Sequence, residues 1–161
     1  RRRKQREEKP FALLVRNLAA ARALAHVDAA DAALLLAVER PIVLVPRRPD
    51  AAIAASVAPG APDLGLLLPY TPLHHLLAAD LAALGIDALV LTSGNVADEP
   101  IAFADADARV RLAGIADLFL VHDRPIRTRS DDSVARTVRI DGASRPLLLR
   151  RARGWVPGSF A

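Results

Sequence analysis

Cysteine is absent from the 161 residues, which removes disulfides, thiolate metal sites and a Cys nucleophile from consideration. Aromatic residues make up only 4%, too few for the stacking platforms on which single-stranded nucleic acids lie. No apolar run approaches the roughly 18 residues of a transmembrane helix. Arg1-Arg2-Arg3-Lys4 has the charge of a signal-peptide start, but Glu7 and Glu8 follow where an apolar stretch would be needed. These absences predict a cytoplasmic protein with no membrane partner. Methionine is missing altogether, so residue 1 is not a natural translation start, and a chain cut from within a larger protein is expected. The motifs GxGxxG, GxxxxGK[ST] and GxSxG are also missing, which takes the main support from dinucleotide-fold, P-loop and hydrolase readings.

What is present is a core-rich chain, 52% hydrophobic with mean hydropathy +0.22, of a length that suits one domain. Its net charge of +4 is unevenly spread. Residues 1–16 carry seven basic and two acidic side chains, 17–121 carry six and twelve, and 122–161 carry nine and four. If the two basic ends meet, they make one positive field suited to a polyanion. The alternative is that these side chains are solvated or paired with nearby carboxylates.

Apolar runs at Phe11–Val15, Pro41–Val45, Leu64–Leu68, Ala88–Leu91 and Leu118–Val121 read as strands, as do the region of Val134, Thr137 and Val138 and the run Leu147–Leu149. Between them lie helices expected over 17–26 and 28–39, capped by Asn17 and Asp28, and one near 104–113. Thr71-Pro72 starts another, in which Leu73, Leu76, Leu77, Leu81 and Leu84 recur at helical spacing until Gly85. Residues 46–63, with four prolines, read as an irregular excursion. Strands alternating with helices, then a strand-rich tail, predict an α/β fold with added antiparallel pairs.

Thr92-Ser93-Gly94-Asn95 follows a buried strand, the place where open α/β sheets hold ligands. Its hydroxyls and amide suit phosphate or ribose, although an ordinary turn has the same composition. Lys4, Arg6 and Lys9 put three cations before the first strand, and Arg150, Arg151 and Arg153 follow the last one. Both groups could clamp phosphates, Arg with its planar fork and Lys with a point charge, or could be solvated ends. On an extended chain Arg151 and Arg153 share one face and Arg150 takes the other. Asp131-Asp132-Ser133 could position a ligand or magnesium, or form an Asx turn. His74 and His75 are adjacent, so on a helix they point about 100° apart, and no HxxxH or HExxH accompanies them; no metal site is expected.

Together these segments resemble a known family. Arg3-Lys-Gln-Arg6-Glu-Glu-Lys-Pro-Phe-Ala-Leu-Leu14 is similar to the KxR segment of YrdC-like domains, and Leu91-Thr-Ser-Gly-Asn95 to their SxN segment. More specifically, Pro69-Tyr-Thr-Pro-Leu-His-His-Leu-Leu77, Thr92-Ser-Gly-Asn-Val-Ala-Asp-Glu-Pro-Ile101, Asp123-Arg-Pro-Ile126 with Asp131-Asp-Ser-Val134, and Leu149-Arg-Arg-Ala-Arg-Gly-Trp-Val-Pro157 resemble the HypF family of [NiFe]-hydrogenase-maturation carbamoyltransferases. The resemblance covers the whole chain in order and implies a YrdC-like α/β fold, an open twisted mixed sheet with flanking helices. It implies a carbamoyl-adenylation domain at 1–153 that lacks the family's N-terminal strands, and the start of a linker at 154–161 towards a carbamoyl-transfer domain.

The implied activity is ATP-dependent conversion of carbamate, derived from carbamoyl phosphate, to carbamoyl-adenylate, with magnesium accompanying the ATP. The carbamoyl group would then pass to the C-terminal cysteine of a partner protein on the way to cyanide-ligand synthesis. Lys4 and Arg6 are the implied catalytic cations; Lys9, Thr92, Ser93, Asn95, Ser133, Arg150, Arg151 and Arg153 are the implied nucleotide or acyl-adenylate contacts. Two alternatives share parts of this pattern: a threonylcarbamoyl-adenylate synthase for tRNA modification, and a non-catalytic double-stranded RNA-binding module. The first is disfavoured by Leu66-Leu67-Leu68-Pro69, which has no cation where such synthases carry an Arg for the threonine carboxylate. RNA is the less favoured partner.

Overall fold

Apolar strands that differ in how many faces they bury set the layout of the computed structural model, which describes residues 1–6, 8–97 and 99–158. Glu7 of the KxR segment, Asp98 of the turn segment and the last residues of the expected 154–161 linker lie outside the described residues. The strands are β1 (Ala12–Val15), β2 (Ile42–Pro46), β3 (Asp63–Leu67), β4 (Ala88–Leu91), β5 (Val134–Ile140) and β6 (Ala143–Arg150). The helices are α1 (Leu18–Leu24), α2 (Ala29–Leu36), α3 (Pro72–Ala83) and α4 (Asp105–Arg111).

The six strands form one mixed sheet in the order β4-β1-β3-β2-β5-β6. β1 runs parallel to β3 and β2 to β5, and the other three pairings are antiparallel. β3 is central, and Leu64, Gly65, Leu66 and Leu67 are all buried, as expected of a strand covered on both faces. Gly65 lies where an added Cβ would meet Ile42 Cγ2 at 3.0 Å, so the close strand packing there needs glycine. β2 alternates, with Val43 and Val45 turned into the core.

α1 and α2 seal that core with Ala20, Ala21, Leu24, Leu34 and Leu35. Both start on side-chain caps: Asn17 accepts from the Ala20 amide, and Asp28 and Asp31 form a reciprocal capping box. Asp31 is buried and also accepts from Thr137 Oγ1 at 2.5 Å, which ties α2 to β5. Asp141 and Gly142, both at positive φ, make the two-residue turn that pairs β5 with β6.

One expectation changes. Residues 118–121 form no strand: they join no ladder, and Leu118 and Leu120 are 89% and 71% exposed. An apolar run becomes a strand only when a neighbour takes its backbone groups, and nothing among the described residues does so. α3 starts at the expected Thr71-Pro72 cap, but none of its residues is buried, and Leu73, Leu76 and Leu84 of its apolar stripe are exposed. Among the described residues no helix is long and apolar enough to cross a membrane.

Candidate active site

The first six residues curl into a tight turn, with the Lys4, Gln5 and Arg6 amides all bonded back to the Arg1 and Arg2 carbonyls. Arg1 pins this turn to the body through the Ser56 and Val57 carbonyls. Arg3 makes a two-pronged ion pair with Asp117 at 2.6 and 2.9 Å. The curl turns Lys4 inward, leaving it only 8% exposed.

The Lys4 ammonium points at the turn that follows β4. Nζ donates to the Ser93 carbonyl at 2.8 Å, to Asn95 Oδ1 at 2.7 Å and to the Asn95 carbonyl. Ser93 Oγ donates to the same Oδ1 at 2.7 Å, and Asn95 Nδ2 donates to the Glu99 carbonyl at 2.7 Å. Arg6 lies alongside, donating to Thr92 Oγ1 at 3.2 Å and to the Lys9 and Pro10 carbonyls. Its guanidinium also stacks over the Phe11 ring, as does that of Arg1. The two sequence segments, nearly ninety residues apart, form one site.

Neither Lys4 nor Arg6 has a carboxylate partner among the described residues. Burial pulls the Lys4 ammonium below its ordinary pKa, and the charge of Arg6 pulls it further. Arg6 is lowered by burial and then by the charges of Arg1 and Arg150. Arg150, from the far end of the chain, therefore reaches the same field. It donates from Nε to the Asp132 carbonyl at 2.9 Å and stands 3.8 Å from the Asp131 carboxylate. The site is thus a cluster of cations held mainly by neutral oxygens, which raises its energy unless an anion joins it.

Beside the cluster lies a cavity of about 310 Å³ lined by Ser93, Asn95, Glu99, Pro100, Ile101, Arg129, Ser130 and Asp131. Sequence reasoning had singled out Ser93 and Asn95 and left Glu99, Arg129 and Ser130 unassigned. Glu99 lies within a segment that carries the family resemblance, whereas Arg129 and Ser130 fall between two such segments and had no signal of their own.

Other expected contacts are engaged elsewhere. Ser133 is fully buried; its Oγ donates to the Arg153 carbonyl and accepts from the Ala152 amide, both at 2.8 Å. The Arg153 guanidinium holds Asp132 at 2.9 Å and the Glu39 and Arg40 carbonyls at 3.0 and 2.7 Å. Lys9 is exposed and offers its carbonyl to Arg6, while Arg151 donates to the Gly158 carbonyl. Ser133 and Arg153 do not line the cavity. Among the described residues no group of three or more His, Asp or Glu side chains could hold a metal ion.

Comparison with known proteins gives the fold and site a family. The Sua5_yciO_yrdC family, described as "Telomere recombination", matches residues 1–152. The chain belongs to this family. It is 49% identical to carbamoyltransferase HypF2 of Cupriavidus necator, over 98% of this chain and 21% of that protein. It is also 49% identical to carbamoyltransferase HypF of Rhodobacter capsulatus, over 99% of this chain and 20% of that protein. The chain therefore spans about a fifth of these relatives. Full-length HypF in a phosphate- and nucleotide-bound form superposes with TM-score 0.87 at 39% identity, covering 98% of this chain and 24% of that one. Sua5 of P. abyssi, complexed with L-threonine, shares the fold at TM-score 0.73 and 15% identity, over 94% of this chain and 42% of that one. The mixed sheet with flanking helices is thus the YrdC-like arrangement expected from the sequence.

Proposed function

We propose that this chain is the adenylating unit of a carbamoyltransferase. The observation that carries this reading is the cation cluster: Lys4 is buried and Arg6 half-buried against the Thr92–Asn95 turn with only neutral acceptors, Arg150 is close by, and a polar cavity opens beside them. Such a cluster favours a triphosphate. In the reaction, a carbamate oxygen attacks the α-phosphorus of ATP, the bond to the β-phosphate oxygen breaks, and pyrophosphate leaves. Carbamoyl-adenylate is formed, and the carbamate itself derives from carbamoyl phosphate.

This chemistry needs stabilisation of charge on phosphate more than a protein nucleophile. Lys4, Arg6 and Arg150 would offset the charge developing on the leaving pyrophosphate, and Ser93 and Asn95 would orient the nucleotide or acyl-adenylate. Thr92, whose hydroxyl Arg6 holds, and the more peripheral Lys9 and Arg151 would complete the rim. With no cluster of protein ligands for a metal among the described residues, magnesium would arrive on the triphosphate. Leu66, Leu67, Leu68 and Pro69 are all buried, so the end of β3 presents no cation to an amino-acid carboxylate, which supports carbamate over threonylcarbamate. Residues 1–153 would form this unit and 154–161 would lead to a carbamoyl-transfer unit, from which the carbamoyl group reaches a partner's C-terminal cysteine in hydrogenase cyanide-ligand synthesis.

The test is ATP–pyrophosphate exchange by the natural full chain. Exchange should require carbamoyl phosphate and fall by roughly ten- to a hundredfold in Arg6→Lys, the loss of one charge-assisted contact of about 1.5–3 kcal/mol. Exchange supported better by threonine and bicarbonate would reject the substrate assignment.

A further inference from the structure

Arg153 belongs to the arginine-rich end of the chain, yet its surroundings differ from those of Lys4, Arg6 and Arg150. All three of its guanidinium nitrogens have protein acceptors: Nε the Asp132 carboxylate, and the two terminal nitrogens the Glu39 and Arg40 carbonyls. Its flat face lies 3.5 Å over the Tyr70 ring, a close cation–π seat. Tyr70 also donates its hydroxyl to the same Asp132 oxygen at 3.2 Å, and His74 packs edge-on against Tyr70 with ring centres 4.5 Å apart. Reaching a phosphate would require Arg153 to leave a carboxylate, two carbonyls and an aromatic face at once.

The main chain around Arg153 is fastened equally well. The Arg153 amide donates to the Asp131 carbonyl at 3.1 Å, and the buried Ser133 hydroxyl bridges the Arg153 carbonyl and the Ala152 amide. Gly154 lies against Glu39 so closely that an added Cβ would come within 2.7–2.8 Å of Glu39 Cβ, Cα and O. Residues 150–154 are therefore a strap, fixed on one side to the loop between α2 and β2 and on the other to residues 131–133. Asp131, which shares this fastening, lines the cavity together with Arg129 and Ser130 and faces Arg150.

We propose that Arg153 is a positioning residue: by clamping Asp132 against Tyr70 and the 39–40 loop it sets the 129–131 wall of the nucleotide cavity, and it does not itself touch the nucleotide. This rests on the nucleotide reading of the cavity given above. The prediction has a distinctive sign at Asp132. If Arg153 contacted phosphate, neutralising Asp132 would release the guanidinium, remove a nearby negative charge and tighten ATP binding. If Arg153 positions the wall, neutralising Asp132 loosens that wall and weakens ATP binding, even though an anion has been removed.

The experiment measures ATP dissociation constants by calorimetry at a temperature well below each variant's melting point, for the wild type, Asp132→Asn, Arg153→Lys and Tyr70→Phe. Asp132→Asn keeps the size of the side chain and Tyr70→Phe keeps the ring under Arg153, so neither depends on Arg153 variants folding. Asp132→Asn and Arg153→Lys should each weaken ATP binding by about tenfold, and Tyr70→Phe by a few-fold, in keeping with the loss of one hydrogen-bonded contact. The double variant Asp132→Asn/Arg153→Lys should be no weaker than either single one, because both remove the same clamp. Tighter ATP binding by Asp132→Asn, or wild-type affinity in Arg153→Lys, overturns the assignment. So would lower melting temperatures with unchanged affinity, the mark of a purely structural clamp. A wild-type chain that binds no ATP overturns the nucleotide reading and this assignment with it.

Discussion

Replacing Lys4 by methionine keeps most of the side-chain bulk in its buried site and removes the ammonium. Three contacts go: those to the Ser93 carbonyl, the Asn95 carbonyl and Asn95 Oδ1. They are not equivalent. The Ser93 carbonyl still accepts from the Asn95 amide at 3.0 Å, and Asn95 Oδ1 still accepts from Ser93 Oγ at 2.7 Å. Only the Asn95 carbonyl loses the hydrogen bond it has in the described structure, and Asn95 is half-buried, so water can partly replace it. A charge-assisted hydrogen bond contributes about 1.5–3 kcal/mol net, so the combined loss should be about 2–4 kcal/mol rather than three full contacts.

Because the Thr92–Asn95 turn lies beyond the last ladder pair of β4, most of that loss should appear in ATP affinity, as a weakening of about 30- to 700-fold. The matched control is Arg3→Ala, which removes one positive charge from the same N-terminal curl as Lys4 but only an exposed pairing with Asp117. It should change affinity by less than about threefold, since exposed ion pairs contribute little. Isothermal calorimetry on the three proteins at one salt concentration reads both effects. Equal weakening by Lys4→Met and Arg3→Ala would mean that only the general positive field matters, and an unchanged Lys4→Met would mean that the turn does not depend on its anchor.

Gly154→Ala should destabilise the fold by roughly 3 kcal/mol or more, since the added carbon meets Glu39 at 2.7–2.8 Å and φ is +91°; a melting temperature equal to wild type would contradict the close packing. Ser133→Ala should cost about 1–3 kcal/mol in denaturant unfolding, because it strips a half-buried amide and carbonyl of their shared, fully buried partner. His74 is lowered below its ordinary 6.5 by burial, with Asp132 opposing and Arg153 and His75 adding to the shift. The unfolded chain therefore takes up a proton that the folded one resists, so its contribution is intact above about pH 6.5 and is lost as pH falls through the lower folded value. His74→Gln should flatten the fall in melting temperature as pH drops below about 6.5, and an unaltered slope would show that His74 is not its source.

Local patterns in the sequence reach far into this fold. Six of the seven segments expected as strands, the Asn17, Asp28 and Thr71 caps and the expected helices all appear, because caps and burial periodicity act within a few residues. The Asp141-Gly142 hairpin turn went unread, although a turn with positive φ at both central residues favours that pair. The same local logic failed at 118–121, where an apolar run needs a distant neighbour to become a strand.

At the site, the chain by itself determined which segments mattered: basic ends, and a Ser-Gly-Asn turn after a buried strand. It could not rank the arginines, which are chemically identical along the chain. Only tertiary structure decided that Arg6 and Arg150 share one field while Arg153 is locked onto Asp132, Tyr70 and the 39–40 carbonyls. The strand order decided that too, because it brings β4 beside β1, and so the Thr92–Asn95 turn beside Lys4, while pairing of β2 with β5 sets the 39–40 loop against the strap. What an arginine binds depends on which oxygens surround it once the backbone is placed, and those oxygens come from residues tens of positions away.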